Sequence, residues 1–352
     1  MSTDFSRRAF ALASIAVAAG AVAGCGSAAA GTGADGTGAD ADSSDGAGSF
    51  PLTIDHALGT TTVSARPGRI AAVQWSNHEV PLALGVVPVG MAKANFGDDD
   101  GDGVLPWVTE KLDELGAEAP PLFDETDGID FEAVSDTRPE LILAGYSGLT
   151  QEDYDQLSKI APTVAYPELA WGTTWRQNIE ISSTAMGMAD EGKALIADLE
   201  KQIADAVAKQ PGLKGRSAMF LTHVDTGDLS TVSFYTTHDT RVDFFGDLGL
   251  TTPASIAEAS AKEMKFSQEI SAEKVDTFND VDIIVTYGGE ELIATLKADP
   301  LLSKMPAVAN GAIVTLDGSG PQGTASNPTP LALGWVLEDY VSELAGAASK
   351  AE

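Results

Sequence analysis

Leu195-Ile196-Ala197-Asp198-Leu199-Glu200-Lys201-Gln202-Ile203-Ala204-Asp205-Ala206-Val207 reads as one face of a long helix. Leu195, Leu199, Ile203 and Val207 recur at helical spacing with Ile196 beside them, which makes one apolar stripe. The helical pattern reaches back to Thr174 and stops at Pro211-Gly212. On both sides of it, short β-branched runs alternate with longer helical ones. The strand candidates are Arg69–Trp75, Val86–Met91, Glu140–Ala144 and Thr163–Tyr166 before the helix, then Ser217–His223, Val232–Tyr235, Asp282–Tyr287 and Ala312–Leu316 after it. Such alternation predicts an α/β protein of two βα lobes with mainly parallel sheets, joined by one long α-helix. The expected layout is a first lobe over 51–173, a connecting backbone helix over 174–210 and a second lobe over 211–352. The second lobe closes with a helix from Thr329 to Ala345 that carries Leu333, Leu337, Val341 and Leu344 on one face. A single stiff connector lets the lobes rock only a little, so a cleft between them should be pre-formed.

The N-terminus is of another kind. Ser6-Arg7-Arg8-Ala9-Phe10 has a twin-arginine export pattern, followed by an uncharged apolar run from Ala11 to Ala23. That run is short for a membrane span and ends in Val22-Ala23-Gly24-Cys25, which resembles a bacterial lipobox. The expectation is a signal peptide over 1–24 and a lipid on Cys25. The chain would then be anchored to the cell membrane on its extracytoplasmic face. Cys25 is the single cysteine, so no intrachain disulfide can form. Residues 26–49 are Gly, Ala, Ser, Thr and Asp alone, and the segment 25–50 is read as a flexible tether. A tether of about 25 residues reaches roughly 25–30 Å as a random coil. The formal charge is −31 and becomes −32 once Asp4, Arg7 and Arg8 are removed with the signal. That balance repels nucleic acid and anionic membranes, and it fits a solvated monomer.

From Leu52 onward the blocks resemble, in order, the helical-backbone substrate-binding proteins of bacterial ABC importers. The matching pieces are Leu52 to Thr61, Arg66 to Ala71, Leu82 to Gly90, Asp130 to Val134 with Arg138 to Leu143, and Tyr154 to Val164. In the second half they are Arg241 to Leu250, Ser271 to Val275 with Asp282 to Val285, and Leu301 to Val314. The resemblance covers nearly all of 51–345 and is greatest to the ferric-siderophore branch, with haem and cobalamin binders as relatives. It implies a class III periplasmic-binding-protein fold. It also implies a receptor that binds a ferric siderophore between its lobes and passes it to an ABC-transporter permease. The alternative ligand is haem or a cobalamin-like corrinoid.

A ferric siderophore is iron already wrapped in oxygen ligands. Its receptor needs aromatic walls and a few donors aimed at the chelating oxygens, and no intrinsic cofactor or protein-bound metal. Arginine suits the task through its planar fork of donors. Trp75 and Tyr287 end strand candidates and Tyr146 follows one, while Trp171, Trp175 and Arg176 flank the start of the connecting helix. Each aromatic could equally be core, and each arginine a solvated surface group. The resemblance places Arg241 near the ligand. It also assigns Glu132 and Glu273, in matching βα positions of the two halves, to docking on permease arginines. By themselves they are first-turn glutamates favoured by the helix dipole.

Asp98, Asp100, Asp102 and Gly103 fit the early positions of a calcium loop, but Thr109 stands where the bidentate glutamate belongs, so a solvated acidic loop is the expectation. His56, His78, His223 and His238 show no close ligand spacing, which argues against a direct zinc or manganese binder. No Gly-x-Ser-x-Gly elbow or zinc-protease signature supports an exported enzyme, and no repeat supports a structural surface protein. With Arg176, Arg241 and Lys93 as the basic groups near the expected cleft, the ligand should be a hydroxamate or mixed complex rather than a strongly anionic catecholate.

Overall fold

The computed structural model describes residues 49–351. The signal peptide and the lipidated Cys25 read from the sequence lie outside the described residues. The described chain opens with a hairpin, β1 (Leu52–His56) against β2 (Gly59–Val63). Five short parallel strands follow: β3 (Ile70–Ala72), β4 (Gly90–Ala92), β5 (Leu122–Phe123), β6 (Leu141–Leu143) and β7 (Thr163–Val164). They pair in the order β5-β4-β3-β6-β7. The three-residue members are buried throughout, as strands covered on both faces must be.

In the second half β8 (Ala218–Phe220) begins a parallel sheet, and β9 (Thr231–Tyr235) and β10 (Ser267–Ser271) form an antiparallel pair. β11 (Ile283–Tyr287) and β12 (Ile313–Leu316) complete the parallel sheet in the order β12-β11-β8. A bridge between Leu221 and Phe234 ties the two sets together. Each strand candidate overlaps an observed strand; β4 runs one residue past its candidate and β9 begins one residue before its own. β5 and β10 lie outside every candidate, as do β1 and β2, which fall in the Leu52 to Thr61 block.

The connecting stretch departs from the expected single helix. It forms two, Trp175–Ala185 and Ala189–Ala208. The break is a Schellman turn: Gly187 stands at φ 68°, its N–H donates to the Thr184 carbonyl (2.9 Å), and the Met188 N–H donates to that of Ser183 (2.8 Å). A side chain at 187 would be strained at that φ, so glycine fixes the stop. Thr174 starts the first helix with a capping box to Gln177. The predicted stripe lies inward on the second, with Leu199 and Ile203 buried and Leu195 and Val207 partly so.

The two sheets share packing around these helices and the C-terminal helix Pro330–Ala348. One hydrophobic cluster runs from Val80, Leu82 and Trp107 in the first half through Ile179 and Ile203 to Phe220, Val285 and Leu337 in the second. A buried carboxylate adds a polar tie. Glu79 accepts from Trp107 Nε1 (2.8 Å) and from the backbone N–H groups of Leu331 (2.9 Å) and Ala332 (3.4 Å). It thereby caps a helix that has no side-chain cap of its own. Burial nevertheless pushes its pKa up, with these donors opposing the shift. Among the described residues no helix is long and apolar enough to cross a membrane.

Candidate functional site

In parallel sheets a ligand site forms beyond the carboxyl ends of the strands, where the strand order reverses. In the first sheet that reversal falls between β3 and β6. Trp75 follows β3, and Tyr146 follows β6. In the second half His223 follows β8, Tyr287 ends β11 and Gly318 follows β12. All five line one cleft of about 340 Å³, with Trp171, Tyr235, Asp239, Arg241 and Asn327. Phe96 from the first half and Phe266 from the second, 58 % and 42 % exposed, complete its apolar rim.

Arg241 sits in the first turn of the helix Thr240–Asp247, whose N-cap is Asp239. The Asp239 carboxylate accepts from Arg241 Nε (2.7 Å) and Nη2 (2.6 Å), a bidentate fork. Arg241 Nη1 donates to the Tyr287 hydroxyl (2.9 Å), and the guanidinium carbon lies 3.7 Å from the Tyr235 ring centroid. Burial alone would lower the Arg241 pKa, but the attraction of Asp239 outweighs it and holds the charge on well above the ordinary range. Burial raises the Tyr235 pKa. This wall therefore presents a fixed cation whose charge is already balanced.

The opposite wall is aromatic. Tyr146 and Trp171 meet edge to face with centroids 5.4 Å apart, and Asn327 Nδ2 donates to the Tyr146 hydroxyl (3.1 Å). Burial raises the Tyr146 pKa, so the hydroxyl stays protonated. Gly148 allows Trp171 to lie flat against the backbone: a Cβ there would stand 2.2 Å from Trp171 Nε1. Gln74, Ser76 and Trp171 all adopt positive φ, at 61°, 58° and 60°. Strained non-glycine residues of this sort persist where surrounding structure holds them, commonly at binding sites.

Of the seven candidate ligand residues, the structure brings Trp75, Tyr146, Trp171, Arg241 and Tyr287 into the cleft. Trp175 and Arg176 are corrections. Trp175 is 2 % exposed in the core, with its Nε1 donating to Asp247 (3.0 Å). Arg176 stacks on that ring at 4.2 Å and pairs with Glu200 (2.8 Å) and Asp247 (2.9 Å), away from the cleft. The cause is local: Trp171 precedes the capping box, whereas Trp175 and Arg176 are inside the helix and take their direction from it. The cleft also takes Phe96, Tyr235, Asp239, Phe266 and Asn327, which sequence reasoning does not mark, and His223, which it marks only as a histidine without ligand spacing. A usable signal existed for Tyr235, at the end of a strand candidate, and for Asp239, an N-cap residue before Arg241.

Glu132 and Glu273 are exposed, each in the first turn after a cap. Asp130 caps through Ala133 N, and Ser271 through Glu273 N. In the acidic loop, Asp98 accepts from the N–H groups of Gly101 (2.8 Å) and Gly103 (2.7 Å). One carboxylate oxygen each of Asp98, Asp100 and Asp102 lies within 4.8 Å of the others. Thr109, in the following helix, does not supply a carboxylate.

The sequence profile of the family described as "Periplasmic binding protein" matches residues 70–319. The chain belongs to this family. It superposes on the crystal structure of Streptococcus pneumoniae TIGR4 PiaA in complex with ferrichrome with a TM-score of 0.82 and 43 % identity, over 85 % of this chain and 99 % of that one. It is 34 % identical to the probable siderophore-binding lipoprotein YfiY of Bacillus subtilis, over 44 % of each chain. It is 28 % identical to the Fe(3+)-citrate-binding protein YfmC of the same organism, over 74 % of this chain and 76 % of that one. The architecture is the class III periplasmic-binding-protein fold.

Proposed function

We propose that this protein is an extracytoplasmic receptor that takes a ferric siderophore into the cleft and delivers it to an ABC-transporter permease. The observation that carries the reading is the Asp239–Arg241–Tyr287 network facing Trp75, Tyr146 and Trp171. It offers oriented donors for chelating oxygens and flat apolar surfaces for the organic shell of the complex. Because Asp239 cancels the charge of Arg241, the cleft favours a neutral ferric hydroxamate over a multiply anionic catecholate. The ferrichrome bound by the similar pneumococcal protein is of that neutral kind. Iron enters as cargo, wrapped by its chelator, and the receptor catalyses nothing.

Delivery uses the two exposed acids. Glu132 and Glu273 would meet basic residues on two permease subunits, one from each half of the receptor. A lipid on Cys25 would keep this monomer near its permease, a reading supported by the lipoprotein relative in Bacillus. Titration of tryptophan fluorescence with ferrichrome, haem and cobalamin tests the ligand. Ferrichrome should quench at submicromolar concentration; quenching by haem or cobalamin alone would replace the reading with its alternative. Glu132→Lys and Glu273→Lys should leave that affinity intact and abolish iron uptake in cells. Uptake at the wild-type rate would remove both from the docking surface.

A further inference from the structure

Trp75 stands between two strained residues. Gln74 and Ser76, on either side of it, adopt φ of 61° and 58°, a region that disfavours any residue with a Cβ. The indole lines the cleft and also, with Trp171, a side cavity of about 230 Å³ in the first half. A backbone of this kind relaxes unless its surroundings over-determine it, so some group must hold the turn.

Glu125 is placed to do so. It lies two residues past the end of β5, and Gln74 lies two residues past the end of β3, with β4 between those strands. The Glu125 carboxylate reaches across the gap. Its two oxygens accept from the Gln74 backbone N–H (3.0 and 2.9 Å), and one of them also accepts from the Gln74 side-chain amide (3.1 Å). Backbone and side chain of one residue are thus gripped by one charged acceptor. The far end of the Gln74 amide accepts from the Gly148 N–H at 3.4 Å, beyond the end of β6. Burial pushes the Glu125 pKa up, and the Gln74 donors oppose the shift. Glu125 is not among the residues that line the cleft, so any effect on a ligand must pass through a neighbour. We propose that Glu125 is a positioning residue: by holding Gln74 in its left-handed conformation, it aims the Trp75 indole into the cleft. The ligand in this proposal rests on the ferric-siderophore reading; the hold on Trp75 does not.

A double-mutant cycle tests it. Glu125→Gln keeps the size of the side chain and replaces one accepting oxygen with a donor that faces the donors of Gln74. Wild type, Glu125→Gln, Trp75→Ala and the double variant are titrated with ferrichrome by calorimetry, and far-UV circular dichroism verifies folding. Glu125→Gln should weaken ferrichrome by about three- to tenfold in the wild-type background, the worth of a hydrogen bond. In the Trp75→Ala background it should change the affinity less than twofold, because the ring it positions is gone. The same cycle read by near-UV circular dichroism needs no ligand: Glu125→Gln should alter the tryptophan bands only where Trp75 is present. If Glu125→Gln does not fold, Glu125→Asp, which keeps the charge and shortens the reach, takes its place with the same expectations. Unchanged ferrichrome affinity, an equal loss in both backgrounds, or unaltered tryptophan bands would overturn the proposal and leave the receptor reading intact. If wild type did not bind ferrichrome, the receptor reading would be the one to fall, and the near-UV cycle would still decide whether Glu125 sets Trp75.

Discussion

The two walls of the cleft are built in opposite ways. On the second-half wall, the hydrogen bonds are spent internally: Asp239 grips Arg241 twice, Tyr287 holds it a third time, and Tyr235 covers it. On the first-half wall, Trp75 Nε1, Ser76 Oγ and His78 Nδ1 are unmet and three non-glycine residues sit at positive φ. A satisfied wall is a fixed reference against which any chelate of the right charge can be placed. The first-half wall instead offers aromatic rings on a strained backbone. The two walls should therefore contribute to binding in different ways. Substitutions should separate them.

The largest effect should come from the satisfied wall. Asp239→Ala leaves the Arg241 guanidinium buried without its counter-charge, and breaking a buried pair in that way costs about 3–5 kcal/mol. The pair is deeply placed, with side-chain exposures of 1 % for Asp239 and 15 % for Arg241. Urea denaturation should show the midpoint fall accordingly, and an unmoved midpoint would mean that the pair does not hold this wall. On the first-half wall the corresponding effect depends on pH. Burial lowers the His78 pKa from 6.5 to about 4, so the unfolded chain binds that proton more readily than the folded one. The stability is complete above the unfolded value and is lost as pH falls toward the folded one, by up to about 3 kcal/mol. His78→Leu should flatten denaturation profiles between those two values. An identical slope in the variant would assign the acid sensitivity to other groups.

Next in size are the indoles on the boundary between cleft and side cavity. Trp171→Ala removes the ring that packs on Tyr146 and on the Gly148 backbone. Loss of a buried aromatic anchor costs about 2 kcal/mol, or roughly thirtyfold in affinity. Titration with ferrichrome measures it. A change of less than twofold would show that the ligand does not rest on this wall.

Much of the fold could be read from the chain because parallel strands buried on both faces write themselves as short apolar runs. Ile70 to Ala72 and Leu141 to Leu143 are such runs. Ser267–Ser271 was illegible for the converse reason. It pairs with β9 through its backbone, and four of its five side chains are polar, with Ile270 alone apolar, so it has no apolar run. The Schellman turn at Gly187 was hidden by helical sequence on both sides. For the cleft, strand ends are informative: Trp75, Tyr146 and Tyr287 line it because the topology sends those ends to one crevice. Phe96 and Phe266 were not found, since they stand on loops whose course depends on contacts between distant segments.

Arg176 gives the smallest and most diagnostic effect, because in the sequence it is hardly distinguishable from Arg241. Both are arginines near the start of a helix, both lie beside aromatics, and both prove to be paired with aspartate. They differ in what surrounds the pair. Asp239 holds Arg241 within the cleft, whereas Asp247 and Glu200 hold Arg176 against the outer part of the connecting helices, where its side chain is 32 % exposed. Water screens such a pair, so Arg176→Ala should cost about 0.5–1 kcal/mol in stability, part of it from lost stacking on Trp175. Its affinity for ferrichrome should match wild type within twofold, while Arg241→Ala should lose the ligand. If both variants bound equally badly, the cation near the connecting helix would have to act on the cleft through the helix itself. The division of labour between the walls would then give way to one coupled frame.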